Sequence, residues 1–186
     1  MTTSTSTIAA GTWNADTVHS DVSFKVRHMA VGRVRGNFEL TSATLTVGED
    51  GIPGASVMAV IDATSVETKS EQRNQHIKSA DFLHVEKHST IEFTSTGVRD
   101  FDGENFIVVG DLTVHGVSNP VELATEFLGA TTDAYGKERA GFSATTSISR
   151  AAFGVDIQLA FGAGNAVVAD KIDIALELEL VLDTGE

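Results

Sequence analysis

From Lys171 to Leu182 the chain alternates strictly. Ile172, Ile174, Leu176, Leu178, Leu180 and Leu182 are separated by Asp173, Ala175, Glu177, Glu179 and Val181. Successive side chains of a strand point to opposite faces, so this spacing predicts a long strand with one apolar and one mainly acidic face. The same period recurs upstream. Val22, Phe24 and Val26 alternate with Ser23, Lys25 and Arg27, and Phe38 and Leu40 with Asn37 and Glu39. Ala43, Leu45 and Val47 follow in the opposite phase, which predicts a bulge or kink at Thr41-Ser42. Val57 to Ala63 is another apolar run, and Ile91 alternates with Phe93. Phe106, Val108, Leu112 and Val114 share a face, then Val121, Leu123 and Phe127, then Phe142, Ala144 and Ile148. Together these segments predict about eight strands.

Turn signals fall between them at Gly48 to Gly54, Arg99 to Gly103, His115 to Pro120 and Asp133 to Gly136. Connections this short favour antiparallel neighbours. One segment departs from the period. Thr68-Lys69-Ser70-Glu71 fits a capping box with Thr68 as N-cap, and predicts a short polar helix through Lys78. A single helix among many strands suits a closed barrel with a lid or plug better than an open sandwich. The expected fold is all-β: an antiparallel eight-stranded β-barrel with one short helix. It forms a single domain over 11–184, after a Ser/Thr-rich tail over 1–10 expected to be disordered.

Composition narrows the function. The chain has 186 residues, enough to bury a sizeable core in one domain. Its formal net charge of -13 repels phosphate backbones and argues against nucleic-acid binding. With no cysteine, disulfides, thiol catalysis and thiolate metal sites are excluded. No stretch is apolar over a membrane-spanning length. The first residues show neither a basic n-region nor an apolar h-region, so no signal peptide and a cytoplasmic place are expected. No Gly-x-Ser-x-Gly elbow, P-loop or dinucleotide-binding pattern is present.

Three groups of residues remain as candidate chemistry. Ten phenylalanines accompany one Trp and one Tyr, and a ring without a polar handle suits a dry environment. Phe24, Phe38, Phe82, Phe93, Phe106, Phe142, Phe153 and Phe161, with Val26, Leu40 and Val108 in the same strand phases, either line a tunnel or fill a core. The residues alone leave both open. Six histidines offer a second possibility. His19, His28 and either His76 or His115 would form a metal site if strand pairing brought them together, although only His84 and His88 have ligand-like spacing. Third, Lys25, Arg27, Arg33 and Arg35 occupy a stretch between Val22 and Phe38 without a carboxylate. Such a stretch either receives an anionic head group or acidic lipid surface, or faces the acidic final strand across the sheet.

The motifs, taken in order, resemble the YceI-like, polyisoprenoid-binding proteins. The opening Trp13, Asp16, His19-Ser20, Val22-x-Phe24-x-Val26-x-His28 carries the resemblance, as do Gly36-x-Phe38 and Ser65-Val66-x-Thr68. It continues through Arg73-x-x-His76 to Phe82, Ile91-x-Phe93-x-Ser95, Gly110 to Val121, Arg139-x-Gly141-Phe142 and Ser149-Arg150-x-x-Phe153-Gly154. The resemblance implies a lipocalin-like, extended barrel, often dimeric, that holds an amphiphile with a long isoprenoid tail. It turns the balance towards a hollow barrel. Members commonly read Arg-Asp-x-His in the helical segment, where this chain has Asn74, so a carboxylate suited to metal or proton-transfer chemistry is missing.

The expectation is therefore a carrier or sequestering protein and not an enzyme. Its cofactor is none, its ligand a polyisoprenoid or prenyl quinone, its state a homodimer in transient contact with membranes. Burying a methylene yields about 0.8 kcal/mol, so one isoprene unit offers roughly 3–4 kcal/mol. His19, His28, Arg27 and Arg73 are candidates to orient the polar head. The rival expectations are a metal-dependent enzyme using the histidines, and a stress-response interaction protein with a packed barrel.

Overall fold

The computed structural model describes residues 7–157, 160–161, 165–166 and 168–185. The chain runs β1 (Gly11–Ala15), β2 (Asp21–His28), β3 (Gly32–Gly48), β4 (Gly51–Glu67), α1 (Glu71–Lys78), β5 (Thr90–Arg99), β6 (Asn105–Val114), β7 (Val117–Thr132) and β8 (Glu138–Ser149). It ends with two short strands, β9 (Ala160–Phe161) and β10 (Asn165–Ala166), and the long β11 (Val168–Leu182). β2 to β8 pair each with the next, and β11 pairs with both β8 and β2, closing an antiparallel barrel. β1 bridges β11 and β3 where β2 has ended, so β1 and β2 share one of eight positions around the wall. β3 and β4 hold 17 residues each, which at about 3.3 Å per residue makes them roughly 55 Å long, tilted around the barrel wall.

Strand direction sorts the connections into two ends. The β2–β3 turn, α1, the β6–β7 turn and the segment between β8 and β11 lie at one end, called the mouth. The β3–β4, β5–β6 and β7–β8 turns lie at the other. That far end is closed by a packed cluster that includes Trp13, Ala43, Val47, Ala140 and Leu180. Trp13 is fully buried, and its indole Nε1 donates to Ala9 O at 3.0 Å. Ile8 packs against the same core. The part of the expected tail that is described is thus anchored, while residues 1–6 lie outside the described residues.

The expected bulge is present, since the β3–β4 register shifts between Leu40 and Ser42. Two details of the expectation change. The helix N-cap is Ser70 rather than Thr68, with Ser70 Oγ accepting from the Arg73 amide. Thr68 is instead buried, its Oγ1 donating to Asn74 Oδ1 at 2.7 Å. Asn74 also accepts from the Thr68 amide and donates through Nδ2 to Glu67 Oε2. The Asn74 side chain therefore folds the β4–α1 link. Pro53, Gly54 and Pro120 lie inside β4 and β7 and not in the expected turns.

Two glycines explain how rings line a wall without filling the bore. Phe24 pairs across the strands with Gly36, and a Cβ on Gly36 would stand 2.5 Å from Phe24 Cζ. A Cβ on Gly110 would stand 2.5 Å from both Phe93 Cζ and the Thr94 carbonyl oxygen. Each ring occupies the space that a side chain at the glycine would take. Gly110→Ala is expected to destabilise the fold by about 1–3 kcal/mol through overpacking. An unchanged denaturant midpoint in that variant would contradict this account.

Candidate lipid-binding site

The barrel holds a cavity of about 410 Å³, within the roughly 300–1,000 Å³ span of small-molecule sites. Its wall is built from the inward phase of every long strand. Val22, Phe24 and Val26 come from β2, Phe38 and Leu40 from β3, and Val57, Ala59 and Ile61 from β4. Phe93 of β5, Phe106, Val108 and Leu112 of β6, Val121 and Leu123 of β7, Phe142 and Ala144 of β8, and Ile172, Ile174, Leu176, Leu178 and Leu180 of β11 complete it. Three of the wall hydroxyls are turned back onto the strands. Ser95 Oγ accepts from the Val57 amide at 2.8 Å, Thr125 Oγ1 donates to Leu123 O and Ser23 Oγ to Ala175 O. No buried side-chain nitrogen or oxygen among the described residues lacks a hydrogen-bond partner. The bore therefore presents hydrocarbon and offers a polar ligand little to bind.

Charge gathers at the mouth. Arg27, His28, Arg73, His76 and Arg150 line the cavity there, beside Ile77, Phe82, Leu83, Phe153 and Val155. Arg73 is held by Nε on Thr68 Oγ1 at 2.8 Å and Nη2 on Thr68 O. His76 shares a hydrogen bond with Asp81 and meets Phe82 edge-on at 4.9 Å. Buried Arg150 spends its three nitrogens on the carbonyls of Ala169, Val155 and Val168, stapling the segment after β8 to the start of β11. It holds the rim in place. His76, Arg150 and the small wall residues Ala59 and Ala144 were not read from the sequence as lining. The motif Ser149-Arg150-x-x-Phe153 was the available signal for Arg150, and strand phase was the signal for the alanines.

The sequence candidates Phe24, Val26, Phe38, Leu40, Phe82, Phe93, Phe106, Val108, Phe142, Phe153, Arg27, His28 and Arg73 all border this cavity. The Phe161 side chain lies outside the described residues. His19 does not reach the cavity. It sits on the outer wall, where its Nδ1 meets Asp16 Oδ2 at 2.9 Å.

That contact belongs to a clamp. Arg139 donates to Asp16 at 2.9 Å, to Asp133 at 2.7 Å and to Glu179. It ties the β1–β2 link, the β7–β8 turn and β11 together. The Arg139 guanidinium, and secondarily His19, hold the Asp16 carboxyl well below the ordinary carboxylate range. Asp16, His19 and Glu179 are the one cluster of metal-ligand type among the described residues, and Arg139 already donates to both of its carboxylates. Among the described residues His19, His28, His76 and His115 form no cluster of metal-ligand spacing. His76 is engaged by Asp81, and His115 Nδ1 by Phe153 O.

His84, His88 and His115 instead form a row of rings at the mouth end, with centroids 6.2 and 5.1 Å apart. Loss of solvation, then His115, His84 and Lys87, push the His88 pKa down. The unfolded chain therefore binds a proton that the fold resists. Stability should be complete above the ordinary histidine range near pH 6.5 and fall as pH drops through it. Melting curves between about pH 7.5 and 5.5 test this, and His88→Gln is expected to flatten that slope. An equal slope in the variant would sink the assignment.

A family model for the YceI-like domain matches residues 13–180. The chain belongs to the YceI-like family. It is 37% identical over 139 residues to a UPF0312 protein of Vibrio vulnificus, covering 75% of this chain and 74% of that one. It is 32% identical over 161 residues to the protein YceI of Escherichia coli, covering 87% and 81%. Among solved structures, the Campylobacter jejuni YceI protein superposes with a TM-score of 0.71 at 28% identity, covering 90% of this chain and 96% of that one. A structure from Saccharophagus degradans described as a polyisoprenoid-binding domain shares the fold, with a TM-score of 0.63 at 15% identity over 92% and 98% of the two chains. No helix among the described residues is long and apolar enough to cross a membrane.

Proposed function

We propose that this YceI-like barrel binds and carries or stores an isoprenoid or prenyl-quinone-like lipid, acting as a binding protein and not as an enzyme. One observation carries the reading: a continuous hydrocarbon-walled bore with every charged lining residue at its mouth. The tail lies along Phe24, Phe38, Phe93, Phe106 and Phe142. The polar head meets Arg27, His28 and Arg73, with His76 beside them. The described Saccharophagus degradans domain supports this choice of ligand class. Each isoprene unit moved from water adds roughly 3–4 kcal/mol, so a few units outweigh the cost of association and of ordering a flexible chain.

Organic extraction and native mass spectrometry of protein purified from its own host test the proposal. A co-purifying prenyl lipid, or saturable uptake of a prenyl quinone by emptied protein, is the expected result. Empty protein that takes up no prenyl quinone overturns it. Cytoplasmic residence, homodimer formation and transient membrane contact belong to the same reading. Cell fractionation tests the first and sedimentation of purified protein the second.

A further inference from the structure

We propose that the β2–β3 hairpin is a membrane-docking element that seats the cavity mouth on an anionic lipid surface. The inference rests on the lipid-binding reading for its purpose, but its evidence is separate. Lys25 stands directly across from Arg35, and Arg27 directly across from Arg33. Like charges opposed on a strand pair weaken the sheet. Among the described residues, no carboxylate forms a salt bridge with Arg27, Arg33 or Arg35. Lys25 has Asp173 across from it on β11, a carboxylate that Lys171 and Ser147 also engage. A cluster of unopposed cations on a chain of net charge -13 calls for an external anion.

The tip of the same hairpin gives the second observation. Met29 and Ala30 have φ of 52° and 59°, and the Val31 amide donates to His28 O at 3.3 Å. This is the turn that Asn-Gly fills at least cost, and left-handed backbone disfavours both residues found here. Val31 is 93% exposed. An apolar tip on a strained turn, flanked by arginines, matches a bilayer interface: hydrocarbon below, phosphates around it. Position gives the third. Arg27, His28 and Val34 of this hairpin line the cavity mouth, so docking would open the bore towards the bilayer. The opposite rim is less suited, because Lys69, Lys78 and Lys87 are interleaved there with Glu71, Asp81 and Glu86. The acidic remainder of the barrel would be repelled, which orients the molecule mouth first.

Co-sedimentation of the full chain with vesicles tests the proposal, using phosphatidylcholine alone and phosphatidylcholine with about one-third phosphatidylglycerol. The protein is expected to bind the anionic vesicles, to ignore the neutral ones and to be released by salt. Arg33→Glu with Arg35→Glu should weaken binding by about 25-fold or more, at roughly fivefold for each cation lost. Val31→Asp should weaken it severalfold. None of these side chains lines the cavity, so the variants should still take up a prenyl quinone delivered in ethanol. Three results would overturn the docking role: wild-type binding that ignores lipid charge, wild-type failure to bind anionic vesicles, or variants that bind as the wild type does. So would equal affinity for an oligonucleotide of matched charge with no effect of Val31→Asp. Loss of quinone uptake in the wild type as well would instead overturn the cavity reading, and leaves the vesicle result to stand by itself.

Discussion

Trp13→Ala is expected to cost about 3–5 kcal/mol of unfolding free energy, the usual range for truncating a fully buried aromatic. Trp13 has no exposed surface and belongs to the cluster that closes the barrel opposite the mouth. Its strand β1 is five residues long, yet it is paired on both sides, with Leu182 across from Trp13 on β11 and Leu45 on β3. Removing the indole leaves a void among residues held by a closed hydrogen-bonded wall, which relaxes little. It also removes the donor that satisfies Ala9 O and holds the incoming chain against the core. Equilibrium denaturation with urea measures the effect, and a loss below about 1 kcal/mol would show that this end of the barrel is not tightly packed. Trp13→Phe separates the two contributions, because it restores most of the buried area but not the hydrogen bond.

The long strands were legible in the sequence because burial on one face leaves a period of two, and that period survives in β2, β6 and β11 almost without interruption. β1 was not legible as a strand. Five residues with a single large apolar side chain carry no period, and its place is fixed by partners distant in sequence. Pro53 and Pro120 misled for a physical reason. The stretch of β4 around Pro53 lies before its pairing with β5 begins at Met58, and Pro120 lies before β7 pairs with β8 at Ala124. A residue without an amide proton is tolerated where a strand has a neighbour on one side. The helix start was misplaced by two residues because Thr68 matches a capping residue by type, while Lys69, at a φ of 62°, turns it away and into the pocket made by Asn74.

The site divides in the same way. Wall residues followed from strand phase, and the phenylalanines on β2, β3, β5, β6 and β8 point inward as alternation required. Whether the bore was hollow did not follow from phase. It depends on small residues, Gly36 and Gly110 beneath the rings and Ala59 and Ala144 between them, whose significance appears only once the cross-strand register is known. His19 lies in the link between β1 and β2, where no periodicity says which way a side chain points. The Arg139 clamp that captures its neighbour Asp16 joins positions 123 residues apart.

Ala144→Phe distinguishes a hollow barrel from a filled one, because the two readings predict opposite signs. Ala144 lines the cavity on β8, between Thr125 of β7 and Leu176 of β11. A benzyl ring projecting from it would enter apolar space and remove about the volume that one isoprene unit of the ligand needs. Lost burial of one unit, roughly 3–4 kcal/mol, corresponds to a Kd for a prenyl quinone raised about 100- to 1,000-fold. In an empty bore the added ring also gains burial without displacing protein, so the ligand-free variant should be as stable as the wild type or more so by about 0.5–2 kcal/mol. In a packed core the same substitution would overpack and destabilise by about 1–3 kcal/mol. Fluorescence titration with a prenyl quinone and urea denaturation of ligand-free protein read the two effects independently. Weakened binding with retained stability is the expected pair. A destabilised variant would show that the protein's own side chains already fill the space assigned to the lipid, and unaltered binding with unaltered stability would place the ligand somewhere other than the barrel interior.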